Sequence, residues 1–407
     1  MDGQPIIIAG GGIGGLTAAI AIGQRGLPVL LVERAPEFEP IGYGIQLGPN
    51  AMHVFNKLGL LQEVLDCCSL PDAGVLSDAL TNECIAELPM AHHMRARYGQ
   101  PYGVIHRSDL HEVLVNRCLS MDTVQLRNDV DVVSFEDRGA DVVIRDRSGE
   151  EIAGTALIGA DGIWSVIRQQ MFPDAPTPIA SRYVAFRSLL PMEKVDAGLA
   201  RNVVNLRCGT DFHLIHYPLR GGTLFNLVCG IRIPDGVRTD ERDVILAHFD
   251  NAFAGACDDV KALLPLLDRS RYWPISNIAP LRQWHEGRVV LLGDSAHAMV
   301  QAMAQGACQA VEDGFVLAKH LASATTPQDA FGRYQKERHA RASFTQYQSI
   351  LMWELIHASH GWRDMRKSKM GALSPADVLD RLGWLYGNEP TDELWHELED
   401  GAVAALS

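Results

Sequence analysis

The sequence predicts an α/β fold: a parallel βαβ sheet, an inserted and mainly antiparallel sheet, and a helical C-terminal part. Three observations carry this. Residues 5–33 read as strand, glycine turn, helix and strand within about thirty residues, the spacing of a βαβ unit. Residues 182–272 hold several short strand-like stretches, split by Gly221-Gly222. From Gly306 onward apolar residues recur at helical spacing.

The elements follow in order. Pro5 to Ala9 is a short apolar, β-branched strand, and glycines follow at once. A helical pattern opens at Leu16-Thr17-Ala18-Ala19-Ile20 and ends near Gly26. Pro28 to Val32 is a second strand, closed by Glu33. His106 to Cys118 reads as a helix with Ser108 at its N-cap, because a serine hydroxyl can accept from the first free N–H groups. Val130 to Ser134 and Asp141 to Arg145 alternate as strands around the turn-forming Arg147-Ser148-Gly149. Phe212 to Tyr217 and Thr223 to Val228 are strands of the inserted sheet. Arg288 to Leu292 is a buried-strand run that ends in Gly293-Asp294. Gly306 to Ala322 is a long helix, and the rest, through Glu354 and on to Leu406, reads as mainly helical. The expected division is a discontinuous nucleotide-binding domain (1–75, 100–180 and 275–365), a β-sheet domain (76–99 and 181–274) and a C-terminal helical segment (366–407).

Composition narrows the function. The 407 residues are 47% hydrophobic and 21% charged, an ordinary globular balance. The net charge of −14 repels a phosphate backbone, so no nucleic acid is expected as partner. No apolar run is long enough to span a bilayer. The N-terminus enters a strand almost at once, so no signal peptide and a cytoplasmic location are expected. The eight cysteines form no CxxC pair and have no zinc-like spacing with histidine, so they read as free thiols, and no metal site is expected.

Gly10-Gly11-Gly12-Ile13-Gly14-Gly15 satisfies G-x-G-x-x-G at Gly10, Gly12 and Gly15. The first glycine permits the tight turn, the second lets the backbone approach a pyrophosphate, and the third lets helix and strand pack closely. The helix then presents free N–H groups and its positive dipole end to the phosphates. Glu33 follows Gly15 by eighteen residues, where a carboxylate suits the two hydroxyls of an adenosine ribose. This fingerprint alone leaves FAD and NAD both open.

Two later segments end apolar strands: Gly159-Ala160-Asp161-Gly162, continuing to Arg168, and Gly293-Asp294-Ser295-Ala296-His297. Taken singly, Asp161 reads equally as a turn residue and Asp294 as a helix N-cap. With the glycine motif they form an ordered triple. At these residues the chain resembles the single-component (group A) flavoprotein aromatic hydroxylases, the family of 4-hydroxybenzoate and salicylate hydroxylases, over roughly residues 5 to 350. The resemblance implies the 4-hydroxybenzoate hydroxylase-like (GR2) variant of the Rossmann FAD-binding fold and a tight, non-covalent FAD. It implies NADH as electron donor, O2 as co-substrate, and a homodimer.

The resemblance also implies roles. Asp294 would contact the FAD ribityl chain beside Gly293. Asp161 belongs to a segment credited with contacts to both FAD and the reduced nicotinamide. Arg107 would lie near the flavin phosphates, Val130 near the adenine, and Gly42 and Gly44 near the mobile flavin. Gly10, Gly12, Ile13, Gly15, Glu33 and Arg34, with Gly306 and Ala307 at the start of the late helix, complete the implied FAD set.

Such a reaction leaves the oxidising step to the cofactor, through a flavin C4a-hydroperoxide. The protein must hold the ring, activate its phenol and exclude water. A histidine suits the activation, because a phenol that shares its proton pushes electron density to its ortho and para carbons. On a strand His213, Ile215 and Tyr217 share one face and His216 takes the other. Gln301 stands where the family often has a proline. His213, Tyr217 and Gln301 together resemble the 3-hydroxybenzoate 6-hydroxylase subgroup, which makes 2,5-dihydroxybenzoate (gentisate) from a small aromatic carboxylate. That implies His213 as base or hydrogen-bond partner and Gln301 as orienting group. Arg187, Arg207 and Arg220 lie in the inserted sheet, and the sequence aims none of them inward, so solvated strand arginines are expected. The rival readings are a salicylate 1-hydroxylase, a hydroxypyridine-carboxylate hydroxylase, and a flavin-binding reductase or sensor that hydroxylates nothing.

Overall fold

The computed structural model describes residues 4–37 and 42–387. Its central sheet has six strands in the order His285–Glu286, Val289–Leu291, Ala156–Gly159, Ile6–Ala9, Val29–Val32, Val124–Arg127. The inner pairings are parallel and only the His285–Glu286 edge is antiparallel. The strands Ile6–Ala9, Val29–Val32, Ala156–Gly159 and Val289–Leu291 are buried at every position. That is why they read as continuous apolar runs: a parallel sheet is covered on both faces.

The helix Ile13–Gly23 is apolar all round, and ten of its eleven residues are buried. Glycines let its neighbours approach. A Cβ on Gly14 would come within 2.8 Å of the Leu292 side chain. A Cβ on Gly314, in the helix Gly306–Ser323, would lie 2.7 Å from the Ala18 nitrogen.

The second sheet has seven strands, in the order Trp273–Asn277, Ile179–Pro191, Leu224–Arg232, Phe212–Leu219, Val203–Cys208, Ala73–Asp78, Cys84–Pro89. It is antiparallel except where Ala73–Asp78 runs parallel to Val203–Cys208. One face carries Phe186, Phe212, Leu214, Leu227 and Ile231 and is sealed by Ile245, Phe249 and Val260 from two helices, Arg242–Ala252 and Asp258–Leu263. Residues of the opposite parity face the rest of the molecule. Pairing Arg187↔Val228↔Ile215 makes one row on that inner face, and Ala185↔Gly230↔His213 the next.

The 30-residue helix Pro327–Ile356 links the two sheets. Tyr334 packs on Trp284 beside the central sheet, and Trp353 packs on Tyr183 of the larger one. The mixed α/β class is the one expected from the sequence, and the differences are local. The helix expected from His106 is Arg107–Leu119, capped by His106 and not by Ser108. The Ser108 hydroxyl is instead taken up by the His106 ring and Asp109. The strand expected from Val130 is Val132–Asp137, because the Val130 N–H is bound to the Glu33 carbonyl at 3.0 Å. Helices expected beyond residue 387 lie outside the described residues. No described helix is long and apolar enough to cross a membrane.

Gly314→Val should lower folding stability by about 2–3 kcal/mol, because the new side chain must displace backbone. Denaturant unfolding checks this; a loss below about 0.5 kcal/mol would mean that the two helices can separate freely.

Candidate functional site

At the tip of the Ile6–Ala9 strand, Gly10 has φ +119°, a conformation that side chains avoid. A Cβ there would lie 2.3 Å from the Ala160 oxygen, and one on Gly15 would lie 2.1 Å from the Gly10 oxygen. Gly12 differs: a Cβ there would meet nothing within 4 Å, and its φ of −74° suits any residue. So Gly10 and Gly15 serve the fold, while Gly12 borders open space. Ile13 starts the helix behind it. Glu33 accepts the Gly11 N–H at 2.7 Å and the Ala35 N–H at 3.0 Å, which ties the second strand to the loop. His111 meets the Gly11 carbonyl at 2.8 Å from the other side. Val130 adjoins Glu33 through its backbone bond, and Arg34 is exposed at the strand end.

Gly293 (φ +64°) turns the chain after Val289–Leu291. Its N–H is held at 3.0 Å by Asp313, which also takes His297 at 2.5 Å and Arg338 at 2.7 Å. Burial opposes charge on Asp313, yet His297 and Arg338 hold its carboxyl well below the usual range. Asp294 heads the short helix Asp294–His297 and caps nothing; its side chain is exposed. Enough protein surrounds it that loss of solvent raises its carboxyl, with His297 and Arg107 offsetting part of the effect. Gly306 and Ala307 open the long helix beside it, a Gly306 Cβ falling 3.8 Å from Asp294 Oδ1. Arg107 lies within the field of both Asp294 and Glu33, and its N–H binds the Tyr43 carbonyl at 2.9 Å.

Asp161 does structural work with one oxygen: Oδ2 accepts the Ile167 N–H at 3.2 Å. Its Oδ1 is buried with no partner among the described residues, as is Nε of Arg168. Burial raises the Asp161 carboxyl above its ordinary value.

On the inner face of the larger sheet, His213 is 3% exposed, and its ring lies so close over Gly230 that a Cβ there would come within 2.2 Å. Burial pushes its pKa down to about 4, so it is neutral at pH 7. Its Nδ1 meets Nε2 of His357 at 2.9 Å. Tyr217, two rows away, packs against Gly44, where a Cβ would lie 2.6 Å from Tyr217 Cε2. Burial raises the Tyr217 hydroxyl strongly, which keeps it a neutral donor. The Gly44 N–H is held by Asn226 at 2.9 Å. Gln301, in the turn Gln301–Met303, accepts from Arg187 at 3.0 Å.

A family model described as an FAD binding domain matches residues 4–348. The chain belongs to the FAD-binding aromatic hydroxylase family. It is similar to 3-hydroxybenzoate 6-hydroxylase 1 of Aquipseudomonas alcaligenes, 36% identical over 95% of this chain and 98% of the relative. It is also similar to 6-hydroxynicotinate 3-monooxygenase of Pseudomonas fluorescens, 31% identical over 84% and 89%. In fold it matches Klebsiella pneumoniae HpxO complexed with FAD and uric acid, with TM-score 0.84, 23% identity and coverage of 95% and 98%. A salicylate hydroxylase substrate complex matches with TM-score 0.77, 24% identity and coverage of 96% and 97%. The protein is therefore an FAD-dependent aromatic monooxygenase.

The cleft of this monooxygenase fits FAD on its own geometry. It offers open space at Gly12, helix N-termini at Ile13 and Gly306, and an exposed carboxylate at Asp294. Free N–H groups suit a pyrophosphate, and carboxylates suit a hydroxyl-rich chain. Two of the three expectations about the sheet arginines, those for Arg207 and Arg187, need correction. Arg207 is 3% exposed and bonds Asn82, Asp259 and His216, so it is a buried, paired group. Arg220 is exposed, as expected, but is committed to Asp109 through two bonds, at 2.9 and 2.6 Å. Arg187 lies on the inner face with His213. Its parity, opposite to Val184 and Phe186, was the available signal, but only strand pairing shows which face looks inward. Nothing in the sequence pointed to His357.

Gly12→Ala should leave apoprotein stability within about 0.5 kcal/mol of wild type and cost at least tenfold in FAD affinity, whereas Gly10→Ala should destabilise the fold itself by about 1–3 kcal/mol. Melting curves and flavin titration together check the contrast; equal loss of stability in both variants would contradict it.

His213 (about 4) and His216 (about 3) are held below the ordinary histidine value of 6.5 by burial. The folded protein then binds fewer protons than the unfolded chain between those limits, so stability rises with pH there. It is complete above about 6.5 and is lost as pH falls toward 4. The thermal midpoint should drop as pH is lowered from 7 to 5, and a flat profile over that range would count against buried neutral histidines.

Proposed function

We propose that this monooxygenase hydroxylates a monohydroxybenzoate, 3-hydroxybenzoate giving 2,5-dihydroxybenzoate (gentisate), with NADH as electron donor and O2 as co-substrate. One observation carries the reading. Arg187 is a largely enclosed guanidinium with no carboxylate partner among the described residues; its contacts are Gln301 and the Tyr43 ring, 5.7 Å away. A buried cation without an anion is costly. A substrate carboxylate supplies that anion and pairs with the planar fork in two parallel bonds.

The rest of the face suits the same molecule. Arg187 and His213 stand two strands and one row apart, about 12 Å between backbones by ordinary sheet spacing. Two hydrogen bonds of about 2.8 Å and one disubstituted ring fill such a gap. Val228 and Gly230 form the floor between them. In this reading His213 accepts the phenol proton's hydrogen bond and takes more of that proton as charge builds in the ring. Gln301, turned by Arg187, and Tyr217 orient the ring. The 3-hydroxybenzoate 6-hydroxylase relative and the 6-hydroxynicotinate relative both act, by name, on hydroxylated aromatic acids.

FAD, when bound, takes up the donor's electrons and activates O2. We place its pyrophosphate at Gly10, Gly12, Ile13 and Gly15, with Arg107 adding charge. The adenosine lies by Glu33, Arg34 and Val130. Asp294, Gly293, Gly306 and Ala307 hold the ribityl and flavin side, with Gly44 across the cleft and Asp161 behind.

Product analysis after turnover with 3-hydroxybenzoate, salicylate and 4-hydroxybenzoate tests the reading. Gentisate from the first, with little hydrogen peroxide, is expected; catechol from salicylate at a higher rate would overturn it. Arg187→Met should raise the KM for 3-hydroxybenzoate at least tenfold with FAD content unchanged, and an unaltered KM would remove Arg187 from carboxylate binding.

A further inference from the structure

The second ring of the His213–His357 pair has been given no role in the site so far. His357 follows the long helix Pro327–Ile356 as its C-cap and is 8% exposed. Its Nδ1 lies 2.8 Å from the Trp353 carbonyl. A carbonyl only accepts, so His357 Nδ1 carries the proton. Burial, with His213 and Arg366 nearby, holds His357 neutral, so its Nε2 is a bare lone pair. His213 Nδ1 stands 2.9 Å from that lone pair and must therefore be the donor. A neutral His213 with its proton on Nδ1 has its own lone pair on Nε2. That nitrogen has no hydrogen-bond partner among the described residues.

We infer that His357 is a positioning residue: the chain Trp353 carbonyl, His357, His213 fixes the tautomer of His213 so that Nε2 is always the acceptor offered to the substrate hydroxyl. This rests on the reading that His213 meets that hydroxyl. The chemistry parallels the role of a hydrogen-bonded second group in orienting any catalytic imidazole, where the wrong tautomer presents an N–H to a proton that must be accepted. Packing fixes the ring planes as well. Trp353 meets His213 edge-on at 5.2 Å and His357 at 4.6 Å, and Tyr183 covers His357 at 4.3 Å. The relay is also local to the helix end: Arg366 binds the Ile356 carbonyl at 2.8 Å and holds the turn that carries His357.

Two variants separate hydrogen bonding from packing. His357→Leu fills the space but offers no acceptor; His357→Gln keeps an acceptor oxygen. In the FAD-loaded enzyme with 3-hydroxybenzoate, His357→Leu should lower product formation at least tenfold and divert NADH oxidation to peroxide, while His357→Gln recovers to within about threefold of wild type. Nitrogen-15 spectra of histidine-labelled holoenzyme, with His213 assigned from the His213→Ala spectrum, should show the proton on Nδ1. In His357→Leu they should show it moved to Nε2 or shared between the two nitrogens. A proton on Nε2 of His213 in the wild type, or equal activity of the Leu and Gln variants, overturns the inference. His213→Ala run in parallel distinguishes the levels: if it hydroxylates normally, the role of His213 itself falls; if it is impaired while His357→Leu is not, only the role of His357 falls.

Discussion

The buried carboxylate of Asp313 is the constraint on which the site depends. It has no exposed surface, and it gathers the Gly293 N–H, the His297 ring and the Arg338 guanidinium at once. These three come from the turn after the central sheet, the short helix behind it and the long linking helix. Removing one partner of such a group leaves a buried charge uncompensated, at a cost of about 3–5 kcal/mol. The pinned Gly293 N–H and its φ of +64° hold the turn from which the exposed Asp294 side chain projects. Glu312, the residue before it, draws in Arg338, Arg341 and Asn50 in the same way. Two adjacent acids on one helix therefore lock the central sheet to the helices that reach the substrate face.

The inner face of the larger sheet is a different electrostatic environment. Some of its polar groups have partners among the described residues and others do not. Asn226 holds Gly44 with its oxygen while its Nδ2 is left without a partner among the described residues. Arg187 reaches Gln301 but no acid among the described residues. The histidine pair is neutral and lies among aromatic rings, where an imidazole hydrogen bond is stronger than in water. The proposed function, an aromatic anion held beside an oxidising cofactor, calls for this combination: apolar walls, a cation with no acid partner among the described residues, and neutral hydrogen-bonding groups whose direction is fixed.

The glycines divide by role in a way that motif matching does not reveal. Gly10, Gly14, Gly15 and Gly314 are required by close backbone or helix approach, and a side chain at any of them collides with protein. At Gly12 a side chain would meet nothing within 4 Å, which is why the proposed pyrophosphate site is put there. Gly44 and Gly230 are a third kind. They make room for the rings of Tyr217 and His213 on the inner face of the larger sheet.

The sequence by itself determined the βαβ start, the glycine loop with Glu33, and the strand-ending Asp161 and Asp294, because each depends on residues close together in the chain. Local periodicity and turn chemistry were enough for these. It also placed His213, Ile215 and Tyr217 on one strand face, since alternation is a property of a single strand. Tertiary structure alone decided which face looks inward and what stands opposite it. Arg187 meets Gln301 across 114 positions, Asn226 meets Gly44 across 182, and His357 meets His213 across 144. Contacts at such separation are set by sheet register and by the direction of a 30-residue helix, and neither leaves a periodic mark in the residues that make them. The tautomer of His213 is the furthest case: it follows from a carbonyl at Trp353 that no pattern around His213 could announce.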